Sequence, residues 1–108
     1  MSEQMQPGPV LNRLIATKLF GYEVHENLSI MWKTPGDPFV PILGYSTDWN
    51  AMRLVVEEMI RRGAEVNIGF YEDWDCQFDY KGTNFRDVSS TAPHAVCLAA
   101  LQALEADQ

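Results

Sequence analysis

The chain has 108 residues, of which 15 are acidic and 8 are basic, so that its net charge is −7. This length suits one domain with a core of its own, and a hydrophobic content of 46% argues against a disordered chain. The acidic excess lies in residues 55–108, and such a surface repels phosphate backbones. We therefore expect no nucleic-acid partner, while a local pocket for one small anionic ligand stays open.

Residues 1–9 are polar and are broken by Pro7, Gly8 and Pro9. We expect them to form a flexible lead-in to a single domain over residues 10–106. The N-terminus lacks the basic and apolar regions of a secretory signal, and no apolar run approaches the roughly 20 residues that span a bilayer. The sequence thus predicts a cytoplasmic protein, in the host cell, without a membrane partner.

A first helix is predicted over residues 10–20, with Gly21 as its C-cap. Residues 22–45 are harder to assign, because five Pro and Gly residues interrupt them. The segment "NLSIMWK" could form a short strand. Long loops often carry function, so this insert is either a recognition loop or a packed excursion anchored by Trp32, Phe39 and Ile42.

The clearest helix is predicted over about residues 47–62. Ser46 or Thr47 would cap it, Asp48 would lie in its first turn, and Gly63 would close it. Its apolar residues recur at helical spacing: Trp49, Met52, Val55, Val56, Met59 and Ile60.

The period then changes to two, which predicts a hairpin. One face is apolar: Val66, Ile68, Phe70, Trp74, Cys76, Phe78 and Tyr80. The other face is expected to be wet and acidic, with Asp75 and Asp79. A third strand is indicated near residues 83–89.

The last helix is predicted from Thr91, its cap, to about residue 105. Four of its residues would face the sheet: Val96, Ala100, Leu101 and Leu104. The whole pattern predicts an α+β fold in which a three-stranded antiparallel sheet packs with helices in the order α–α–β–β–β–α. Either two layers or an αβα sandwich would satisfy this order.

Helix–strand–strand–strand–helix is also the order of a double-stranded-RNA-binding domain, where a lysine-bearing loop before the last helix contacts phosphates. Here the segment "SSTAPH" (89–94) carries no lysine, and Pro93 has no N–H to offer a phosphate. Proline is favoured in the first turn of a helix. The segment therefore predicts a helix start and not an RNA contact.

Four segments together resemble the phage ABA sandwich domain family. They are "LNRLIATKLFGY" (11–22), "YSTDWNAMRLVVEEM" (45–59), the W-x-C-x-F pattern of Trp74, Cys76 and Phe78, and "TAPHAVCLAAL" (91–101). The resemblance implies an α/β sandwich encoded by a phage or prophage, in a family without assigned biochemistry. The resemblance implies no catalytic residues, and we expect the shared positions to be helix caps and core residues.

Candidate chemistry is sparse. The acidic segment of the hairpin lacks the glycine of a calcium loop. We therefore expect its acids to lie on a solvated hairpin face; they are Glu72, Asp73, Asp75 and Asp79. His25, Cys76, His94 and Cys97 match no zinc spacing.

Cys97 and His94 lie one helical turn apart and are the residue types of thiol catalysis, but a cysteine among apolar neighbours is expected to be packing. Both cysteines are expected to be reduced and buried. Phosphate-binding glycine motifs are absent from the sequence. From these patterns together we expect that the protein binds no metal and no cofactor and that it is not an enzyme.

The remaining candidate is a binding surface made of exposed-looking aromatic and basic residues: Trp32, Lys33, Phe39, Tyr45, Trp49, Tyr71 and Arg86. These aromatic residues are more than one small core readily hides, which favours a homodimer. The first hypothesis is a phage or prophage accessory protein that acts by binding, to a second copy or to a host protein. The alternative is a protein that sequesters a small anionic nucleotide signal by stacking and arginine contacts, an analogy based on phage origin.

Overall fold

The first helix begins at Pro9. The computed structural model describes residues 6–25, 30–32 and 40–106, and of these it describes residues 23–25, 30–32 and 40 by their backbone alone. Helix α1 (Pro9–Leu14) continues as a π-helical turn over Ile15–Leu19. The hydroxyl of Thr17 donates to the carbonyl of Arg13 at 3.0 Å, a bond that competes with regular helix geometry. Gly21 ends the helix with φ of 71°, as predicted.

The insert that was predicted to be irregular contains a small antiparallel sheet. Its strands are β1 (Glu23–His25), β2 (Ile30–Trp32) and β3 (Val40–Pro41), in the order β1-β2-β3. Strand β2 is the short strand expected within "NLSIMWK". This sheet packs near the π-helical turn and is separate from the main sheet.

Helix α2 (Trp49–Arg61) is capped by Asp48, whose carboxylate accepts the Asn50 N–H at 2.9 Å. The prediction of Ser46 or Thr47 as the cap was wrong. Ser46 is buried and has other partners: its hydroxyl donates to Asn12 Oδ1 at 2.6 Å and accepts the Gly8 N–H at 2.9 Å. Ser46 thus fastens the turn before α2 to the start of α1.

The apolar stripe of α2 is only partly in the core. Its buried residues are Ala51, Met52, Val55 and Met59. Trp49 and Ile60, at the two ends of the helix, are each about half exposed. The helix therefore has more apolar surface than the core of one chain covers.

The main sheet has the order β4-β5-β6, with antiparallel strands β4 (Glu65–Phe70), β5 (Trp74–Tyr80) and β6 (Thr83–Ser89). Lys81 and Gly82, with φ of 53° and 81°, make the two-residue turn between β5 and β6. The face toward the helices, here called the inner face, buries Cys76, Phe78 and Tyr80, as the alternation predicts.

The opposite, outer face of the main sheet is polar. Asp79 is exposed there and accepts a hydrogen bond from Asn84 at 2.7 Å. The prediction of a wet face fails at Asp75, which is only 5% exposed, because Arg86 lies against its carboxylate.

Helix α3 (Ala92–Ala106) is buried around almost its whole circumference, since 12 of its 15 residues are buried. It packs on β5 and β6, on α2 and on the π-helical turn. A helix that is apolar all round is one that other elements enclose, so the predicted single stripe was too narrow. The α+β fold and its element order are confirmed, and none of the described helices is long and apolar enough to cross a bilayer.

Replacing Ser46 with alanine is expected to lower the free energy of unfolding by about 1–3 kcal/mol, because Asn12 Oδ1 and the Gly8 N–H lose a buried partner. Thr47→Ala is the matched control, since Thr47 is exposed, and a change within about 0.5 kcal/mol is expected there. Urea unfolding of both variants measures the difference. Equal values for the two would contradict the role assigned to Ser46.

Candidate functional site

Four aromatic side chains lie together where α2 begins and where the β4–β5 hairpin turns. We call this group the aromatic end: Trp49, Phe70, Tyr71 and Trp74. The rings of Trp49 and Trp74 meet edge to face, with centroids 5.2 Å apart, and the Trp74 ring lies 5.2 Å from the ring of Phe70. Such edge-on and tilted contacts are favourable ring geometries, so Trp49, Phe70 and Trp74 form a packed cluster, and Tyr71 adjoins it in sequence as the residue after Phe70.

The aromatic end is open to solvent. Trp49 is 52% exposed, Phe70 58% and Tyr71 76%, while Trp74 is partly buried beneath them. Single exposed apolar residues are ordinary, but contiguous exposed patches mark contact surfaces. The aromatic end is therefore the leading candidate for a contact surface on the described part of the chain.

The turn of this hairpin carries backbone strain. Glu72 has φ of 101°, a value that L side chains rarely adopt, and the Tyr71 N–H donates to the Asp73 carbonyl at 3.0 Å across it. The ring of Tyr71 lies over Gly69, where a Cβ atom would come within 2.9 Å of the ring. Tyr71 thus covers the outer face of the sheet, whereas Phe70 and Trp74 belong to the inner face.

Beside Tyr71, Asp75 and Arg86 form an ion pair on the outer face. Arg86 Nε donates to Asp75 Oδ2 at 2.6 Å, and its Nη2 contacts the same oxygen. This carboxylate raises the pKa of Arg86 above its usual value. Asp75 pairs in register with Gly69, the residue under the Tyr71 ring, and the charge of Arg86 on this face is balanced by Asp75.

Of the residues predicted for a binding surface, three are exposed, namely Trp49, Tyr71 and Arg86. They do not share one face of the sheet, because Trp49 packs on Trp74 of the inner face, whereas Tyr71 and Arg86 lie on the outer face. Tyr45, in contrast, is buried in the core, where its ring stacks on Phe20 at 5.2 Å. Burial raises the pKa of Tyr45 to about 12. Its assignment to a partner surface was wrong, because a side chain that is 1% exposed is closed to a partner.

Three further predicted residues cannot be placed on this surface. Lys33 and Phe39 lie outside the described residues, and Trp32 is described only as the last backbone position of β2.

Two members of the aromatic end, Phe70 and Trp74, were predicted to lie on the apolar face of the hairpin, and they do, but that face does not cover them fully. Their positions, Phe70 as the last residue of β4 and Trp74 as the first of β5, explain the difference. The alternation identifies the face of a strand, but it does not say how far the covering helix extends along that face. The sequence did offer one sign of their exposure, which is that both residues lie next to the hairpin turn.

The nucleophile candidates lie inside the fold. Cys76 and Cys97 are free and buried. Burial, and then the nearby Asp75 carboxylate, raises the pKa of Cys76 to about 12, and burial raises that of Cys97 as well. His94 Nδ1 lies 2.6 Å from Ser89 Oγ. Because a thiol must ionise to act as a nucleophile, these cysteines serve as packing.

Metal ligands do not converge in the described part of the chain, where no three His, Cys, Asp or Glu side chains are grouped to hold an ion. Of the acidic stretch in the hairpin, Glu72 and Asp73 lie in the turn, Asp75 pairs with Arg86, and Asp79 pairs with Asn84. The side chain of His25 lies outside the described set.

At the far end of the sheet, a small open pocket is lined by Tyr80, Lys81, Thr83, Phe85, Ala103 and Ala106, and its volume is about 140 Å³. Sites that enclose drug-sized ligands have volumes of roughly 300–1,000 Å³. This pocket is therefore too small to enclose a nucleotide.

Comparison with known proteins agrees with this fold. The family described as "Phage ABA sandwich domain" matches residues 13–101. A 2.0 Å crystal structure of a phage protein from Bacillus cereus ATCC 14579 is similar, with a TM-score of 0.79 and 26% sequence identity over 97% of this chain and 93% of that one. A search of the curated proteins gives no match.

The burial of Tyr45 predicts a loss of stability at high pH. An unfolded tyrosine ionises near pH 10, whereas the folded protein holds its proton until about pH 12. The unfolded state therefore loses the proton first, and the free energy of unfolding falls as the pH rises from about 10 to about 12. The Tyr45→Phe variant lacks this contribution, so its free energy of unfolding should fall less steeply between about pH 10 and about pH 12. Identical slopes in pH-dependent urea unfolding would contradict the burial of Tyr45.

Proposed function

We propose that this chain, which belongs to the phage ABA sandwich domain family, acts by binding a protein partner through the aromatic end rather than by catalysis. One observation carries the proposal: Trp49, Phe70 and Tyr71 are each more than half exposed on adjoining elements. Large aromatic residues are enriched at protein interfaces and dominate their binding energy.

The chemistry of the described residues also favours binding over catalysis. The two thiols are buried with raised pKa values, so neither provides a ready nucleophile. A general acid or base must reach a substrate, but Asp75 is buried and paired with Arg86. The exposed carboxylates near the aromatic end are those of Glu72 and Asp73 in the hairpin turn.

As a member of a phage family, the protein is proposed to be an accessory product that works in the cytoplasm of the infected host. A contact surface of aromatic rings suits a protein surface that supplies an apolar groove or a matching patch. Burying this area contributes roughly 25 cal/mol per Å² of apolar surface, part of which offsets the entropy lost on association.

The sequestering of a small anionic nucleotide signal is the second candidate. The exposed ring of Tyr71, on the same face of the sheet as Arg86, supports stacking on a base. The charges weigh against it, because four described arginines already pair with carboxylates: Arg53 with Glu57, Arg61 and Arg62 with Glu58, and Arg86 with Asp75. Protein binding is therefore the better supported of the two.

Photo-crosslinking from the aromatic end tests the proposal. The full chain is produced in bacterial cells with p-benzoylphenylalanine in place of Tyr71, and irradiation is followed by mass spectrometry of the adducts. A control chain carries the same group in place of Asn84, which is exposed at the opposite end of the outer face. We expect discrete protein adducts from position 71 and none of the same composition from position 84.

Adducts that are absent from position 71, or that are the same at both positions, would contradict protein binding at this surface. If position 71 gave no protein adduct while cyclic or ADP-ribose nucleotides raised the melting temperature, the second candidate would replace the first. A ligand at a hundredfold excess over its dissociation constant stabilises by about 2.7 kcal/mol, which is readily detected.

A further inference from the structure

The two edges of the main sheet differ in how well they are protected. Neither edge strand pairs with a further strand among the described residues. Strand β6 carries the charged residues Arg86 and Asp87, whereas β4 has Glu65 as its single charged residue and contains no proline. Natural proteins protect exposed edges with charge, proline or a covering element. The β4 edge has little of this protection and is open to another strand.

Helix α2 runs beside this edge and presents apolar side chains to it. Trp49, Val56 and Ile60 follow one another at helical spacing, and Trp49 and Ile60 are about half exposed. Because Trp49 contacts Trp74, which pairs in register with Phe70, α2 begins beside the last residue of β4. The helix and the strand are both roughly 20 Å long, so Ile60 lies near Glu65, at the other end of the edge.

The two ends of the edge also differ in charge. Near Ile60, Arg61 and Arg62 share one carboxylate, that of Glu58, so the end of α2 keeps an excess of positive charge. Glu65 belongs to the outer face with its register partner Asp79, away from the helix side. At the opposite end, Glu72 and Asp73 are exposed in the hairpin turn. One end is thus complementary to the other.

On the basis of the proposed function, we infer that the partner of the aromatic end is a second copy of this chain, joined edge to edge along β4 in a two-fold symmetric dimer. Antiparallel pairing centred on Ile68 sets Val66 opposite Phe70 of the second copy and keeps the inner faces continuous. The two three-stranded sheets become one sheet of six strands. A two-fold interface requires a self-complementary surface, and strand addition is an established mode of recognition.

This arrangement covers the features that one chain leaves open. The exposed Ile60 of one copy meets the aromatic end of the other, so that apolar area at both ends of the edge leaves water. Arg61 approaches Glu72 and Asp73 of the second copy. The outward N–H and C=O groups of β4 gain partners.

A crosslink across the two-fold axis tests the pairing directly. Asn67 is exposed on the outer face of β4, and its side chains in the two copies would lie within roughly 8 Å of each other. Asn67→Cys should therefore form a crosslinked dimer with a short bismaleimide. Asn84→Cys, the same change on the β6 edge, should give no crosslinked dimer on a denaturing gel. The native thiols are buried, so the new cysteine is the reactive one.

The mass of the full chain in solution gives an independent readout. Size-exclusion chromatography with light scattering should give about twice 12.3 kDa at high protein concentration. Ile60→Lys should weaken dimerisation about 30-fold or more, the effect of removing an anchor residue. Val10→Lys is the matched control, because Val10 is similarly exposed but lies on α1, and this variant should remain dimeric. Retained far-ultraviolet circular dichroism shows that the variants are folded.

The outcomes separate this inference from the proposed function. A monomer at high concentration, or equal crosslinking of both cysteine variants, overturns the β4 dimer. If position 71 still captures a different protein in cells, the binding function stands and only the identity of the partner is wrong. A photo-adduct of the chain with itself from position 71, together with the Asn67→Cys crosslink, supports both.

Discussion

The enclosure of helix α3 is the constraint from which the rest of the structure follows. Alanines on this helix let the neighbouring elements approach closely, and the sheet, α2 and the π-helical turn all pack on it. Burial of apolar surface is the dominant favourable term in folding, and here it is concentrated on one helix. Because α3 lies mainly over β5 and β6, strand β4 extends to the side and has α2 as its principal cover.

That offset accounts for the candidate surface. With α3 centred on β5 and β6, the end of β4 and the start of α2 project together beyond the core, carrying Phe70 and Trp49 into solvent. Tyr71 extends this surface around the turn, where its ring uses the space left by Gly69. The same offset leaves the β4 edge unpaired. The exposed rings and the open edge are thus two results of one packing arrangement, which is why one partner can cover both.

Most of the fold could be predicted from local patterns, and the surface could not. The period of two in the hairpin and the helical spacing before Gly63 depend on neighbours in sequence. The cap of α2 was misassigned because Ser46 is held by Asn12, 34 residues away. Asp75 was expected in water because no local pattern reveals that Arg86 lies over it. Tyr45 looked like a surface residue for the same reason: its burial depends on Phe20, a long-range contact.

Native-state hydrogen exchange measures the enclosure of α3 most directly. If the helix is the centre of the fold, its amides from Val96 to Leu101 open only when the whole chain unfolds. Their exchange should then report the same free energy as urea unfolding of the full protein. Amides of α3 that exchanged with a clearly lower free energy, while those of β5 kept the global value, would show that the helix can detach from an intact sheet, and would contradict this account.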